Sequence, residues 1–524
     1  MLFNSPIFIF VFLPIVIFTF YFVGSRGYYR AAIDWLALAS LFFYGWWNPA
    51  YVVLLLVSII YNYVFGLWII KAGIKQDDVR QKRLLIVVVA ANLLLLGYYK
   101  YANFFLSNLN SLTGSHLSLV KIVLPLGISF FTFTQIAFLV DCYQGKVKEY
   151  NFIHYTLFVT YFPHLIAGPI LHHKEMMPQF GNNNIFHFSL QLFVMGLSIF
   201  FMGLFKKVII ADTMATYATP VFNVANSGST AITFFSAWGG AIAYAFQLYY
   251  DFSGYSDMAI GISLFFGIRL PLNFYSPYKA TSIIDFWKRW HMTLSRFLRD
   301  YLYIPLGGNR KGKVRRYINI AVTMLLGGLW HGAAWTFVIW GGLHACYLMI
   351  NHAWISLRGT TREYPDSRSW IGNWIARILT FMAVTVAWVF FRAESIDAAL
   401  RVLRGMTGLN GFILPSPLLP ILNYLGSFGA YLEDQGLKFR LDPVFDQWGY
   451  PLLLVLLVFT WLAPNTQQFM ARYKTTVSAF EGDPPRASWL QWRLTPSSAV
   501  FCALLTFLAV LGLNEVSEFL YFQF

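Results

Sequence analysis

Three stretches of this 524-residue chain carry ionisable side chains inside otherwise apolar sequence. The first, MLLGGLWHGAAWTFVIWGGLH (324–344), bears His331 and His344. An imidazole can take a hydroxyl proton near neutral pH, so a histidine in an apolar span is a candidate general base. A histidine on an apolar helix is also commonly a satisfied core residue, and both readings stand at this point. On one continuous helix, His331 and His344 face away from each other by about 220° and make a pair only if Gly341-Gly342 kinks the chain. The second stretch, QLYYDFSGYSDMAIG (247–261), holds Asp251 and Asp257. Six residues apart, they point about 240° round a helix from one another and form a carboxylate dyad only if Gly254 breaks it. Otherwise each pairs with an arginine or accepts backbone hydrogen bonds. The third, FWKRWHMTLSRFLRDYLYIPLGGNR (286–310), sets His291 among aromatics and cations, with a Gly-Gly turn before Asn309 and Arg310. It reads either as a basic aromatic helix on the membrane surface or as a place to hold an anionic donor such as coenzyme A.

Several chemistries have no signature. There is no G-x-S-x-G elbow, HExxH, P-loop or GxGxxG after a strand, so a serine hydrolase, zinc protease, ATPase or dehydrogenase is not supported. Cys142, Cys346 and Cys502 lie far apart and give neither a disulfide framework nor a zinc site.

The elements that must position these residues are membrane helices. Hydrophobic residues make up 58% of the chain and charged residues 12%, against about 25% charged in soluble domains; mean hydropathy is +0.56. A surface so poor in charge faces lipid. The formal net charge of +15 sits in short clusters between apolar runs, the pattern of cytoplasmic loops rather than of a nucleic-acid groove.

Helices of about 20 apolar residues span the hydrocarbon core. Candidates fall near 5–23, 31–46, 51–70, 84–104, 122–140, 152–171, 189–205, 232–250, 318–336, 337–355, 372–391, 450–463 and 497–514. The expected fold is an all-α polytopic bundle of about 11–14 membrane helices, some short or re-entrant. The first run lacks a basic n-region and a small-residue cleavage site, so it reads as a retained span. Arg26 and Arg30, the basic 71–83 loop, and Lys146 with Lys148 alternate with loops near 46–51 and 105–120 that carry neither Lys nor Arg. This alternation places the basic loops in the cytoplasm and the N-terminus outside. The cationic cluster 281–316 is also expected to be cytoplasmic, lying in or dipping into the interface. Residues 396–449 read as an interfacial or extramembrane insertion, and 450–524 as C-terminal membrane helices.

The span LLGGLWHGAAWTFVIWGGLH, preceded by FWKRWHMTLSRFLRDYLYIPLGGNR, resembles the membrane-bound O-acyltransferase family, within it the bacterial polysaccharide O-acetyltransferase branch. YFPHLIAGPI (161–170), FKKVIIADTMA (205–215), QLYYDFSGYSDMAIG and the opening MLFNSPIFIFVFLPIV match as well. The likeness runs over residues 1–395; the aromatic ending EFLYFQF is similar to endings in the family and is read as native. The resemblance implies a helix bundle around a tunnel joining a cytoplasmic donor site to an extracytoplasmic acceptor site. His331 matches the family's invariant histidine, and His291 matches its second catalytic-region position. The branch implies acetyl-CoA as donor, no permanently bound cofactor, and a periplasmic partner that helps place acetyl on an exported polysaccharide such as alginate or cellulose.

The chemistry implied is coherent. Moving acetyl from a thioester to a hydroxyl needs a base for the proton and help for the developing oxyanion. A neutral imidazole, of ordinary pKa about 6.5, suits the first task. His331 is then the base, His291 polarises the carbonyl or binds the acceptor, and Lys288, Arg299 and Arg310 hold the coenzyme's phosphates. Asp212, Asp251, Asp257, Asn309 and His344 are further polar candidates for the tunnel, and no metal is required. Three other readings remain: D-alanyl transfer to teichoic acid, a polysaccharide exporter conducting without acetyl-CoA, and a scaffold that tolerates loss of His331.

Overall fold

The computed structural model describes all residues except 149, 359–368, 415–436, 440–443, 447, 481–490, 515–519 and 521–524. In hydrocarbon every backbone N–H and C=O must find a partner within the protein, so apolar runs become helices. The described residues form an all-α bundle, apart from a short parallel strand pair, Phe412–Leu414 with Leu437–Phe439. Among them, four helices are long and apolar enough to cross a membrane: Ala50–Ile74, Asp78–Thr113, Leu190–Ser227 and Trp370–Arg392. Shorter apolar helices occupy Phe8–Gly24, Ile128–Tyr143, Gly449–Leu462 and Pro496–Leu511.

The run expected to span at 152–171 does not. Its helix, Phe152–Thr160, ends where Pro163 follows, and residues 161–172 continue as buried irregular chain. Proline disfavours helix at the residue before it and cannot donate. Irregular backbone at this depth is tolerated because protein encloses it; the Ile170 N–H, for example, donates to Thr293 Oγ1 at 2.9 Å.

The bundle is organised round one 32-residue helix, Phe234–Phe265, buried along most of its length. It crosses the helix starting at Leu190 through facing glycines. A Cβ on Gly261 would stand 2.5 Å from the carbonyl oxygen of Gly196, and one on Gly203 would stand 2.6 Å from that of Gly254. Small residues let membrane helices approach closely, and that is what Gly254 is for. It does not break the helix, so Asp251 and Asp257 stay on different faces and form no dyad.

Two of the membrane helices are interrupted by a π turn, a rare feature often found at functional sites. Gly97–Tyr101 interrupts Asp78–Thr113 and carries Lys100; Lys206–Ala211 interrupts Leu190–Ser227 and carries Lys206 and Lys207. The helix Ile396–Met406 packs its small and apolar face (Ala398, Ala399, Val402) on the bundle.

Candidate active site

His331 is the last residue of helix Gly312–His331; the chain then turns through 332–334 into helix Trp335–Leu357, which carries His344. Helix Trp335–Leu357 runs unbroken through Gly341-Gly342, so the kink on which pairing was made conditional is absent. Gly341 serves the hairpin's packing instead: a Cβ there would meet the Met324 carbonyl oxygen at 2.3 Å, and one on Gly328 would meet that of Phe337 at 2.3 Å. The break falls at 332–334, so the two histidines sit on separate antiparallel helices and face the same interior. Trp340 lies between them, its ring centroid 5.1 Å from that of His331 and 4.9 Å from that of His344. Trp330, Phe391 and Trp388 complete an aromatic box, with Trp388 stacked on Trp340 at 5.6 Å.

His291 joins this box from a separate segment. The segment 286–298 is not one surface helix but two short helices, Ile283–Arg289 and Met292–Leu298, with His291 between them in the left-handed region (φ 43°). That bend turns its ring inward, where it is fully buried, 6.2 Å from Trp330 and 4.8 Å from Phe252. Its Nδ1 lies 3.1 Å from Asn273 Oδ1. The same Oδ1 accepts from the backbone N–H and the hydroxyl of Thr293. A backbone N–H can only donate, so that atom is the amide oxygen and His291 Nδ1 must carry the hydrogen. In the neutral ring Nε2 is then a lone pair, and it has no hydrogen-bond partner among the described residues.

A small cavity of about 20 Å³ touches His331, Asp251, Phe252, Trp290, Trp388 and Leu520. It is room for one water and too small for an acetyl group, so a substrate reaching His331 must displace side chains. Asp251 closes this cavity without forming a dyad. Its Oδ1 pairs with Lys207 at 2.8 Å and its Oδ2 accepts the backbone N–H of Leu520 at 3.1 Å. Lys207 also pairs with Asp212 at 2.9 Å. Asp257 pairs with Lys206 at 2.6 Å and accepts from the Thr466 hydroxyl. The carboxylates thus take lysines in place of arginines, and Asp251 also accepts a backbone hydrogen bond, the other arrangement expected for it.

A cleft of about 1190 Å³ opens beside the box, lined by Lys279, Lys288, Arg289, Arg296, Arg299 and Arg377, with Asp285 and His352. Lys288 and Arg299 are therefore brought together; Arg310 and Asn309 are not, being exposed in the turn before helix Gly312–His331. Arg299 lies at the rim, its side chain 62% exposed and bonded to both carboxylate oxygens of Asp300, which raises its pKa above the usual guanidinium value. Arg296 is held bidentate by Glu175, and Arg289 Nε donates to Asp285 Oδ1 at 2.7 Å. The wall between cleft and box is Trp287, which lines the cleft and donates its indole N–H to His344 Nδ1 at 3.3 Å.

The family model for membrane-bound O-acyltransferases matches residues 75–391, which takes in the cleft's cations, the box and both histidine helices. The chain belongs to that family. This acyltransferase is 47% identical over 442 residues to a peptidoglycan O-acetyltransferase of Helicobacter pylori, covering 79% of this chain and 81% of the relative. It is 43% identical over 411 residues to a protein of Pseudomonas putida named "Probable alginate O-acetylase AlgI", covering 78% and 80%. A teichoic acid D-alanyltransferase of Streptococcus thermophilus is 28% identical over 245 residues, covering 45% and 59%. The protein is thus a multi-pass membrane enzyme that transfers acyl groups to oxygen.

Sequence reading passed over several residues of this acyltransferase's site. Lys279 and Arg377 line the cleft from segments outside the cationic cluster, and Asn273 orients His291 from an extended loop. None had a local signal. Lys100 did, as a single lysine in the apolar run NLLLLGYYKYANFFL.

Proposed function

We propose that this acyltransferase moves acetyl from cytoplasmic acetyl-CoA to a hydroxyl of an extracytoplasmic polysaccharide, with His331 as general base. The observation that carries the reading is the adjacency of a cationic cleft, suited to an anionic coenzyme, to a histidine box one tryptophan away. The polysaccharide class follows from the relatives named for peptidoglycan and alginate O-acetylation. The teichoic acid relative is less similar and covers less of the chain, so D-alanyl transfer is the weaker reading.

In the step proposed, His331 takes the acceptor's hydroxyl proton as that oxygen attacks the thioester carbonyl. The C–S bond breaks, and the proton passes to the departing thiolate, so no net proton is consumed. Carbonyl polarisation would need an N–H at His291 Nε2, which the hydrogen bond to Asn273 does not leave in the neutral ring. The lone pair there suits binding the acceptor hydroxyl. Lys288 with Arg299 holds phosphate oxygens at the cleft; the deeper cations Lys279, Arg289, Arg296 and Arg377 add to its positive potential. By the lysine and arginine alternation, the enzyme sits in the cytoplasmic membrane with its N-terminus outside, and a periplasmic partner receives or places the acetyl group.

The test is transfer itself. Purified enzyme in proteoliposomes, given acetyl-CoA labelled in the acetyl group, should acetylate soluble peptidoglycan or alginate fragments when the periplasmic partner is supplied. Label found only on D-alanine-accepting polymers, or no dependence on acetyl-CoA, would refute the assignment.

A further inference from the structure

Helix Gly312–His331 ends inside the protein, where its last carbonyls have no intrahelical partner. A neighbouring helix supplies the donors. Tyr101 Oη donates to the Leu329 carbonyl at 2.9 Å. Lys100 Nζ donates to the carbonyls of Trp330 at 2.6 Å and His331 at 3.0 Å, and points its remaining hydrogen at Ser129 Oγ, 3.4 Å away. Three consecutive carbonyls are thus taken by two consecutive residues. Neighbouring residues on a regular helix diverge by about 100°. Lys100 and Tyr101, which both lie in the π turn Gly97–Tyr101, nevertheless reach one target. Further along the same helix, Asn108 Oδ1 accepts the indole N–H of Trp335 at 2.8 Å. One helix therefore grips both ends of the 332–334 connection.

A lysine in an apolar membrane helix is costly, and this one has no carboxylate partner among the described residues. Its two shorter hydrogen bonds go to the end of the His331 helix, and the longer third goes to Ser129. We infer that Lys100 is a positioning residue for acyl transfer: with Tyr101 it fixes where the His331 helix stops, and so where the His331 imidazole stands. Lys100 is not placed to touch substrate; it acts through the backbone of His331. This rests on the reading of His331 as the base.

The test is steady-state kinetics per folded, membrane-inserted molecule for Lys100→Met, Lys100→Arg and Tyr101→Phe, beside His331→Ala. Misplacing a catalytic group by about 1 Å can cost on the order of a hundredfold. Lys100→Met should therefore lower kcat about ten- to a hundredfold while KM for acetyl-CoA stays within about twofold. Lys100→Arg, which keeps the donors, should recover most of the loss. A normal kcat in Lys100→Met, or a loss carried by KM, overturns the inference. Where Lys100→Met does not accumulate, Tyr101→Phe decides: about a threefold or larger fall in kcat at unchanged KM supports the clamp, and a wild-type kcat overturns it. Near-normal activity in His331→Ala would instead overturn the base assignment. An inactive His331→Ala beside a fully active Lys100→Met would sink the clamp alone.

Discussion

The Trp287 indole N–H donates to His344 Nδ1 at 3.3 Å, so one side chain both lines the cationic cleft and holds a histidine of the buried box. Its ring lies 5.9 Å from Trp340, which in turn touches His331 at 5.1 Å. Two tryptophans therefore separate the proposed donor site from the proposed base.

Trp287→Ala should accordingly uncouple the enzyme. Acetyl-CoA hydrolysis without acceptor should rise roughly threefold or more while transfer falls, because closing a site normally excludes such side reactions. Thiol release in proteoliposomes with and without acceptor reads both; an unchanged hydrolysis rate would mean that Trp287 is not the wall.

The cleft cations should differ by position. Lys288→Ala should raise KM for acetyl-CoA about tenfold, as expected for one lost charge-assisted contact. Arg299, exposed and committed to Asp300, should matter less, by about two- to threefold. Arg310→Ala, outside the cleft, should leave KM within about twofold. Raised ionic strength should increase the wild-type KM and flatten the difference at Arg299 first.

How much of this was legible beforehand divides along physical lines. Helix class and the candidacy of His331 and His291 could be read from local pattern, because an ionisable residue in an apolar run announces its own cost. The inward turn of His291 could not: it depends on a left-handed backbone at that residue and on Asn273 from a separate loop. Whether Gly254 and Gly341 break their helices was open in a one-dimensional reading; both proved to be close crossings, since only tertiary packing says what a glycine is for. Arg310 looked like part of the cluster carrying Lys288 and Arg299, yet the Gly307-Gly308 turn carries it away from the cleft.

The buried ion group makes a separate stability prediction. Lys207 is 2% exposed and is shared by Asp251 and Asp212. Lys207→Met leaves buried carboxylate uncompensated and should destabilise by about 3–5 kcal/mol, seen as a lower unfolding temperature in detergent. Adding Asp251→Asn should restore part of that loss. A double variant as unstable as the two single losses added together would contradict the pairing.

Orientation is tested by labelling. A single cysteine at Gln76 or Gln81 should react with an impermeant reagent only after the cytoplasmic side is opened, and one at Ser115 should react in intact cells. Labelling at Gln76 in intact cells would invert the topology.

The most direct test of the account is His331→Ala, with acetyl transfer normalised to folded, membrane-inserted protein and acetyl-CoA binding measured on the same sample. As general base, His331 should contribute about 10²–10⁴-fold to the rate. Donor binding should persist, because a base would act on the acceptor hydroxyl, apart from the cleft proposed for the coenzyme. A core histidine would behave in reverse: yield and unfolding temperature would drop while activity per folded molecule survived. Loss of transfer with acetyl-CoA binding retained is the predicted result, and near-normal specific activity would contradict it.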